Sequence, residues 1–315
     1  MTILIITPAP THSRKGNRVT AVRWARILRG LGYQVRIQQE YRGERCDVMV
    51  ALHARRSHPS IKRCRDAHPD LPLILALTGT DLYGDIRNDI SAQESLELAS
   101  AFIVLQPMGI QELPPKLRHK AHVIYQSVRR PPGIFGPKCD VFEVCVLGHL
   151  RPVKDPLRTA QAVRLLPASS RIQVVHIGQA LSKEMQRQAE AEQTSNRRYQ
   201  WLDELPRWKA IRILARTRLL VLTSEMEGGA NAVSEALVCS VPVISSRISG
   251  SIGMLGHDYP GYFPTGDTQA LANLLLKAEH DEGFYATLKV CCDHLKHLFT
   301  PEKERDTWKN LLKDL

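Results

Sequence analysis

The 315-residue sequence predicts an α/β protein built from two doubly wound domains. Three observations carry this expectation. Short apolar or β-branched runs alternate with amphipathic stretches along the chain, as in parallel β-α-β units. The alternation breaks once, at Arg129-Arg130-Pro131-Pro132-Gly133-Ile134-Phe135-Gly136-Pro137, where three prolines and two glycines in nine residues exclude a helix or an inner strand. The length also exceeds one ordinary domain and suffices for two separate cores.

The first series of expected strands is Ile3–Ile6, Gln34–Gln38, Val48–Leu52, Leu73–Leu77 and Phe102–Leu105. A second series, Phe142–Leu147, Ile172–Ile177, Leu219–Leu222 and Val241–Ser245, follows the Pro/Gly break, and a helix over Glu302–Leu312 ends the chain. The expected organisation is therefore a Rossmann-like domain over 1–132 and a second over 133–315 that includes the final helix. Two such sheets present their ligand loops at the carboxyl ends of their strands, so the pair is expected to face a central cleft.

Apolar residues make up 43% of the chain and charged residues 24%, values of a soluble globular protein. No apolar run reaches the ~18–20 residues of a membrane span, and Met1–Pro8 reads as a buried first strand instead of a signal peptide. The seven cysteines are scattered without a C-x-x-C pair, which points to a reducing, cytoplasmic setting and away from structural zinc. Charge is unevenly placed. Through Phe135, 20 Lys plus Arg stand against 11 Asp plus Glu, giving +9 of the total +11. That excess suits an anionic partner. With only 6% aromatic residues, base-stacking platforms for nucleic acid are not evident, so a small, highly charged substrate is the expectation.

The strongest motif is Glu227-Gly228-Gly229-Ala230-Asn231-Ala232-Val233-Ser234-Glu235, between the strand Leu219–Leu222 and a helix running toward Val238. Two glutamates eight residues apart are ordinarily solvated helix charges. Here a Gly pair opens the helix, where backbone N–H groups and the helix dipole favour an anion, and the carboxylates can accept hydrogen bonds from sugar hydroxyls. A second motif, Gly148-His149-Leu150-Arg151-Pro152-Val153-Lys154-Asp155-Pro156, leaves the first strand of the second series with two cations on a strand-to-helix loop.

Within the first series, Thr7–Arg18 leaves the first strand with Arg14, Lys15, Gly16, Asn17 and Arg18 at a helix start, a place for an anion-binding nest. Arg23, Arg26 and Arg29 read as the wet face of that helix. Leu52-His53-Ala54-Arg55-Arg56-Ser57 and Leu77-Thr78-Gly79-Thr80-Asp81-Leu82-Tyr83 end two further strands. Arg55 and Arg56 are candidate anion ligands, and Asp81 is a candidate base or a helix N-cap. No D-x-D, P-loop, G-x-S-x-G, H-E-x-x-H or G-x-G-x-x-G pattern occurs.

Glu227 to Glu235 resembles the E-x7-E signature of retaining GT-B glycosyltransferases, and the loop from Gly148 resembles their G-R-L…K segment, with His149 at the arginine position and Lys154 at the lysine. The resemblance implies that Glu227 contacts the donor sugar and Glu235 the ribose. It implies further that the loop from Gly148, with Lys154 and the His149 position, and the Gly228-Gly229 turn hold the donor, and that the loop with Gly16, Asn17 and Arg18 faces the donor phosphates and the acceptor. Arg151, two residues beyond His149, can supply the missing positive charge, and Arg55 and Arg56 join the acceptor side as candidate anion ligands. The phrases Thr7–Pro10, Gly16–Ala21, Ala51–Ser57, Leu77–Tyr83, Gly148–Pro156, Glu227–Asn231 and Asp258-Tyr259-Pro260-Gly261-Tyr262-Phe263-Pro264 together are similar to the selenosugar synthases of selenoneine biosynthesis. That narrower resemblance implies transfer of a sugar from UDP-N-acetylglucosamine or UDP-glucose to selenophosphate. No cofactor is expected, since the UDP-sugar is a substrate, and the missing D-x-D, the short apolar runs and the sparse aromatics predict no metal, membrane or nucleic-acid partner. A GT-B enzyme acting on a hydroxyl acceptor, with Asp81 or His53 as base, and a non-catalytic nucleotide-sugar or nucleic-acid binding protein are the alternatives.

Overall fold

The computed structural model describes residues 1–12, 16–79, 81–133 and 135–315. The chain forms two compact units, Met1–Gln126 with Glu302–Leu315, and Ser127–Pro301. In the first unit the elements run β1 (Thr2–Ile6), α1 (Gly16–Gly30), β2 (Gln34–Gln38), β3 (Val48–Leu52), α2 (His58–Ala67) and β4 (Leu73–Leu77). A single π-helical turn, Asp81–Asp85, then leads into α3 (Ile86–Asn88) and α4 (Ile90–Leu98), followed by β5 (Ala101–Val104), α5 (Met108–Glu112) and β6 (Ala121–Val123). The strands form one parallel sheet in the order β2-β1-β3-β4-β5-β6. Strand alternation divides the core between its faces: Leu4, Ile6, Met49 and Ala51 pack on one side, Ile3, Ile5, Val48 and Val50 on the other. Both faces being covered, β3 and β4 read as unbroken apolar runs.

The second unit contains β7 (Phe142–Leu147), α6 (Arg158–Arg164), β8 (Ile172–Ile177), α7 (Lys183–Ser195), β9 (Tyr199–Trp201), α8 (Arg207–Leu214) and β10 (Leu219–Leu222). After these come α9 (Asn231–Val238), β11 (Val243–Ser246), α10 (Ser249–Leu255), β12 (Tyr262–Phe263), α11 (Thr268–His280) and α12 (Glu282–Leu295). Its sheet is also parallel, in the order β12-β11-β10-β7-β8-β9. The order reverses between β7 and β10 in this sheet and between β1 and β3 in the first. Such switch points open the crevices where doubly wound sheets bind ligands.

The expected domain limits need correction. The division falls after Gln126, ahead of the Pro/Gly break, and the last helix, α13 (Pro301–Leu311), which the sequence placed with the second domain, belongs to the first. Trp308 and Leu311 are buried in the β1/β3 face of the first core, and the Trp308 ring meets Trp24 of α1 edge-on at 5.1 Å. Trp24 Nε1 donates to the buried Glu304 carboxylate at 3.0 Å, so the helix docks through both apolar and polar contacts. Ser13, Arg14, Lys15, Thr80 and Ile134 lie outside the described residues, and with them the expectation that Arg14 and Lys15 bind an anion.

Candidate active site

The two motifs of the second domain leave β7 and β10, the strands that flank its switch point, and side chains stitch their loops together. Thr223 Oγ1 donates to the carbonyls of Lys154 and Asp155, at 2.9 and 2.8 Å, and the Glu225 N–H donates to the Val153 carbonyl at 3.0 Å. Lys154 Nζ pairs with Glu227 Oε1, which also accepts from Ser224 Oγ at 2.7 Å. The Glu227 carboxylate is thus held by groups from both loops before any ligand arrives. Its main chain is pinned as well: Gly250 of α10 lies so close that an added Cβ would stand 2.0 Å from the Glu227 carbonyl oxygen. Only a residue without a side chain fits there.

Gly148 and His149 follow β7 directly. The Gly148 carbonyl accepts from Nε2 of the fully buried His176 at 3.2 Å, while Nδ1 of that ring accepts from the Tyr199 hydroxyl at 2.9 Å. Burial keeps His176 neutral, with its pKa lowered to about 4. Gly178 closes against the same loop, since a Cβ there would lie 2.0 Å from the Gly148 oxygen. His149 Nδ1 accepts the Gln179 N–H at 3.1 Å, which leaves the ring proton on Nε2. Its pKa is lowered first by burial, with Lys154 and Arg151 adding to the effect against Glu204 and Asp203. His149 is therefore a neutral hydrogen-bond donor and does not replace the charge of the arginine that the E-x7-E enzymes carry here. Arg151, half-buried on the same loop and without a carboxylate partner among the described residues, remains available as a cation beside Lys154.

Gly228 and Gly229 lead to α9, whose N-cap is Ala230 with no side-chain cap hydrogen bond, so the positive end of the helix dipole faces this loop. Glu235 lies one turn further, buried, and its Oε1 receives Nη2 of Arg207 at 2.9 Å. Arg207 begins α8 after the loop that follows β9, making a third loop at the same end of the sheet. Sequence reading missed it. The available signal was Leu205-Pro206-Arg207, a proline placing a cation at the start of a helix after a short strand.

In the first domain the candidates gather at the β1/β3 switch point and at the neighbouring end of β4. Gly16 is the exposed first residue of α1, and Asn17 Oδ1 accepts from Thr78 Oγ1 at 3.1 Å, tying the helix start to the loop after β4. Arg18 sits in the same turn, and its Nε is buried with no hydrogen-bond partner among the described residues. Arg55 and Arg56 are exposed, but Arg55 Nε stands 3.2 Å from Asp85 Oδ2, which offsets its charge. Arg56 keeps its own.

Asp81 requires a different reading from the chemical role considered for it. Its side chain is 1% exposed. Oδ1 accepts the Gly79 N–H and Oδ2 the Ala54 N–H, both at 3.1 Å, so it clamps the loops after β3 and β4. Burial raises its pKa against the opposing pull of His53 and those N–H groups. Beside it His53, also buried, adopts φ 77°, an uncommon conformation for a residue with a Cβ, and its Nδ1 accepts the Arg56 N–H at 3.4 Å. Burial holds His53 in the neutral form. A carboxylate enclosed in this way positions the two loops.

Among the described residues, no cluster of three or more His, Cys, Asp or Glu could hold a metal ion, and no helix is long and apolar enough to cross a membrane. Residues 134–290 match the glycosyl transferases group 1 family. Glycosyltransferase 1 domain-containing protein 1 of Xenopus tropicalis is 23% identical over 269 residues, covering 78% of this chain and 77% of its own. Among solved structures, Anabaena HepE in complex with UDP and glucose aligns over the full length of both chains with a TM-score of 0.77 at 17% identity. Sucrose-phosphate synthase from Thermosynechococcus elongatus aligns over 99% of this chain and 98% of its own, with a TM-score of 0.78 at 14% identity. With the glycosyl transferases group 1 match over residues 134–290, the chain as a whole has the two-domain α/β fold of GT-B glycosyltransferases.

Proposed function

We propose that this protein is a glycosyltransferase that takes a sugar from UDP-N-acetylglucosamine or UDP-glucose and transfers it to selenophosphate, giving a 1-selenosugar. The observation that carries the donor half is the convergence of Glu227, Lys154 and Glu235 at the switch point of a group 1 domain, beside the start of α9. Lys154, Arg151 and the positive end of the α9 dipole suit a diphosphate, the carboxylates suit sugar and ribose hydroxyls, and His149 offers one further N–H. Support for a UDP-sugar comes from HepE, which has been solved with UDP-glucose.

Selenophosphate rests on the sequence phrases shared with selenosugar synthases, on the +9 charge of the first 135 residues, and on the enclosure of Asp81. A hydroxyl acceptor needs a base to remove its proton, whereas selenophosphate brings an anionic, polarisable selenium. Selenium would attack the anomeric carbon as the bond from that carbon to the UDP oxygen breaks. UDP leaves with the electron pair, and water then cleaves the Se–P bond to release inorganic phosphate and the selenol. Arg18 and Arg56 would receive the acceptor's charge, with Gly16 and Asn17 shaping the turn. Lys154, Arg151 and the start of α9 would stabilise the departing UDP. Incubation with UDP-sugar and selenophosphate, followed by mass spectrometry, tests this reading. A selenium-containing hexose with stoichiometric UDP supports it. UDP-sugar consumption only in the presence of an alcohol acceptor would overturn the selenium assignment.

A further inference from the structure

Each carboxylate of the Glu227/Glu235 pair is already bound to a cation from a different loop, Glu227 to Lys154 and Glu235 to Arg207. The second pairing has no counterpart in the motifs read from sequence. Glu235 is 10% exposed on its side chain, Arg207 50%, so the guanidinium reaches the carboxylate from the open side of the site. Its backbone is anchored. The Leu202 N–H donates to the His176 carbonyl at 2.8 Å and the Gly178 N–H to the Asp203 carbonyl at 2.9 Å, and Pro206 fixes the entry to α8. The strand that holds the Gly148 loop through His176 therefore also holds the arm that carries Arg207.

A carboxylate that must accept hydrogen bonds from two neighbouring hydroxyls needs a set rotation about its terminal bond, and an N–H donor on one oxygen supplies it. We propose that Arg207 is a positioning residue that orients Glu235 toward the ribose diol and so sets the preference for ribo- over 2′-deoxyribonucleotides. This inference rests on the UDP-sugar reading above. It is a statement about the nucleotide alone and is independent of the acceptor.

The test measures UDP and 2′-deoxy-UDP affinity by calorimetry for the wild type, Arg207→Met, Arg207→Lys, Glu235→Gln and the Arg207→Met/Glu235→Gln double variant. Unchanged circular dichroism is required of each. The wild type is expected to favour UDP by about tenfold or more, the worth of one hydrogen bond to a charged group. Arg207→Met should collapse that preference toward parity, Arg207→Lys should restore part of it, and the double variant should be no worse than Glu235→Gln alone. Retained discrimination in Arg207→Met, or losses that add in the double variant, would overturn the positioning role and mark Arg207 as an independent contact. A wild type that binds neither nucleotide would overturn the donor assignment itself, and this inference with it.

Discussion

Replacing Gly250 by alanine adds one methyl group at a place where the structure leaves no room for it. The new Cβ would stand 2.0 Å from the Glu227 carbonyl oxygen, 2.9 Å from the carbonyl carbon and 3.1 Å from the Glu227 Cβ. Carbon–oxygen contacts settle at about 3.3–3.6 Å, so α10 and the Glu227 segment must separate by roughly 1.3 Å or more. The neighbour is backbone and cannot rotate away. Overpacking of this kind costs about 1–3 kcal/mol, and about 2–4 °C in midpoint accompanies each kcal/mol for a domain of this size. The larger effect should fall on chemistry, because a displacement of about 1 Å at a substrate-positioning group can cost on the order of 100-fold in rate. Initial rates of selenosugar formation, read with calorimetric unfolding, test both parts. Gly136→Ala serves as control, since a Cβ at Gly136 meets nothing within 4 Å. A Gly250→Ala protein with wild-type turnover and midpoint, or a control equally damaged, would refute the argument that this glycine sets the Glu227 backbone.

Glu235→Ala should weaken UDP binding by about 1.5–3 kcal/mol, a charged hydrogen bond, whereas Glu227→Ala should lower turnover more than UDP affinity. Calorimetry beside steady-state rates separates the two, and equal effects on both quantities would contradict the assigned contacts. Arg18→Ala and Arg56→Ala should each raise the selenophosphate KM with little change in UDP-sugar binding. Arg55→Ala should do less, because Asp85 already neutralises that side chain; a ranking with Arg55 first would count against the acceptor assignment. Acid should destabilise the second domain through His176. Its pKa is about 4 folded and near 6.5 unfolded, so as pH falls from 6.5 to 4 the unfolded chain gains a proton that the folded one refuses. Up to about 3 kcal/mol is lost over that window, and urea titrations of His176→Gln should show a flatter pH dependence than the wild type.

The parallel sheets were legible because strands buried on both faces are unbroken apolar runs, and Val48–Leu52 and Leu73–Leu77 stand out from their surroundings for that reason. The strands β6, β9 and β12 were not. Each has two or three residues, too few for any period to show. The final helix was recognised as a helix and assigned to the wrong domain, since an amphipathic pattern shows that one face is buried but not which core receives it. Trp308 settles that by packing on Trp24, 284 residues earlier in the sequence. The site divides in the same way. Glu227, Glu235 and Lys154 could be named because residue type and place after a strand are properties of one segment. Their partners could not, because Arg207 at the start of α8 meets Glu235 of α9 only in the folded domain. Asp81, which the sequence offered as a base or a helix N-cap, shows the converse. An aspartate at the end of a strand has the composition of a base, yet Gly79 and Ala54 occupy its two oxygens. The sequence shows which groups could do chemistry, and burial then decides which of them are free to do it. An exposed carboxylate or arginine can exchange its present partner for a ligand at small cost, whereas Asp81 would first have to give up two backbone N–H groups and open two loops. The Asp81 clamp is for that reason part of the scaffold.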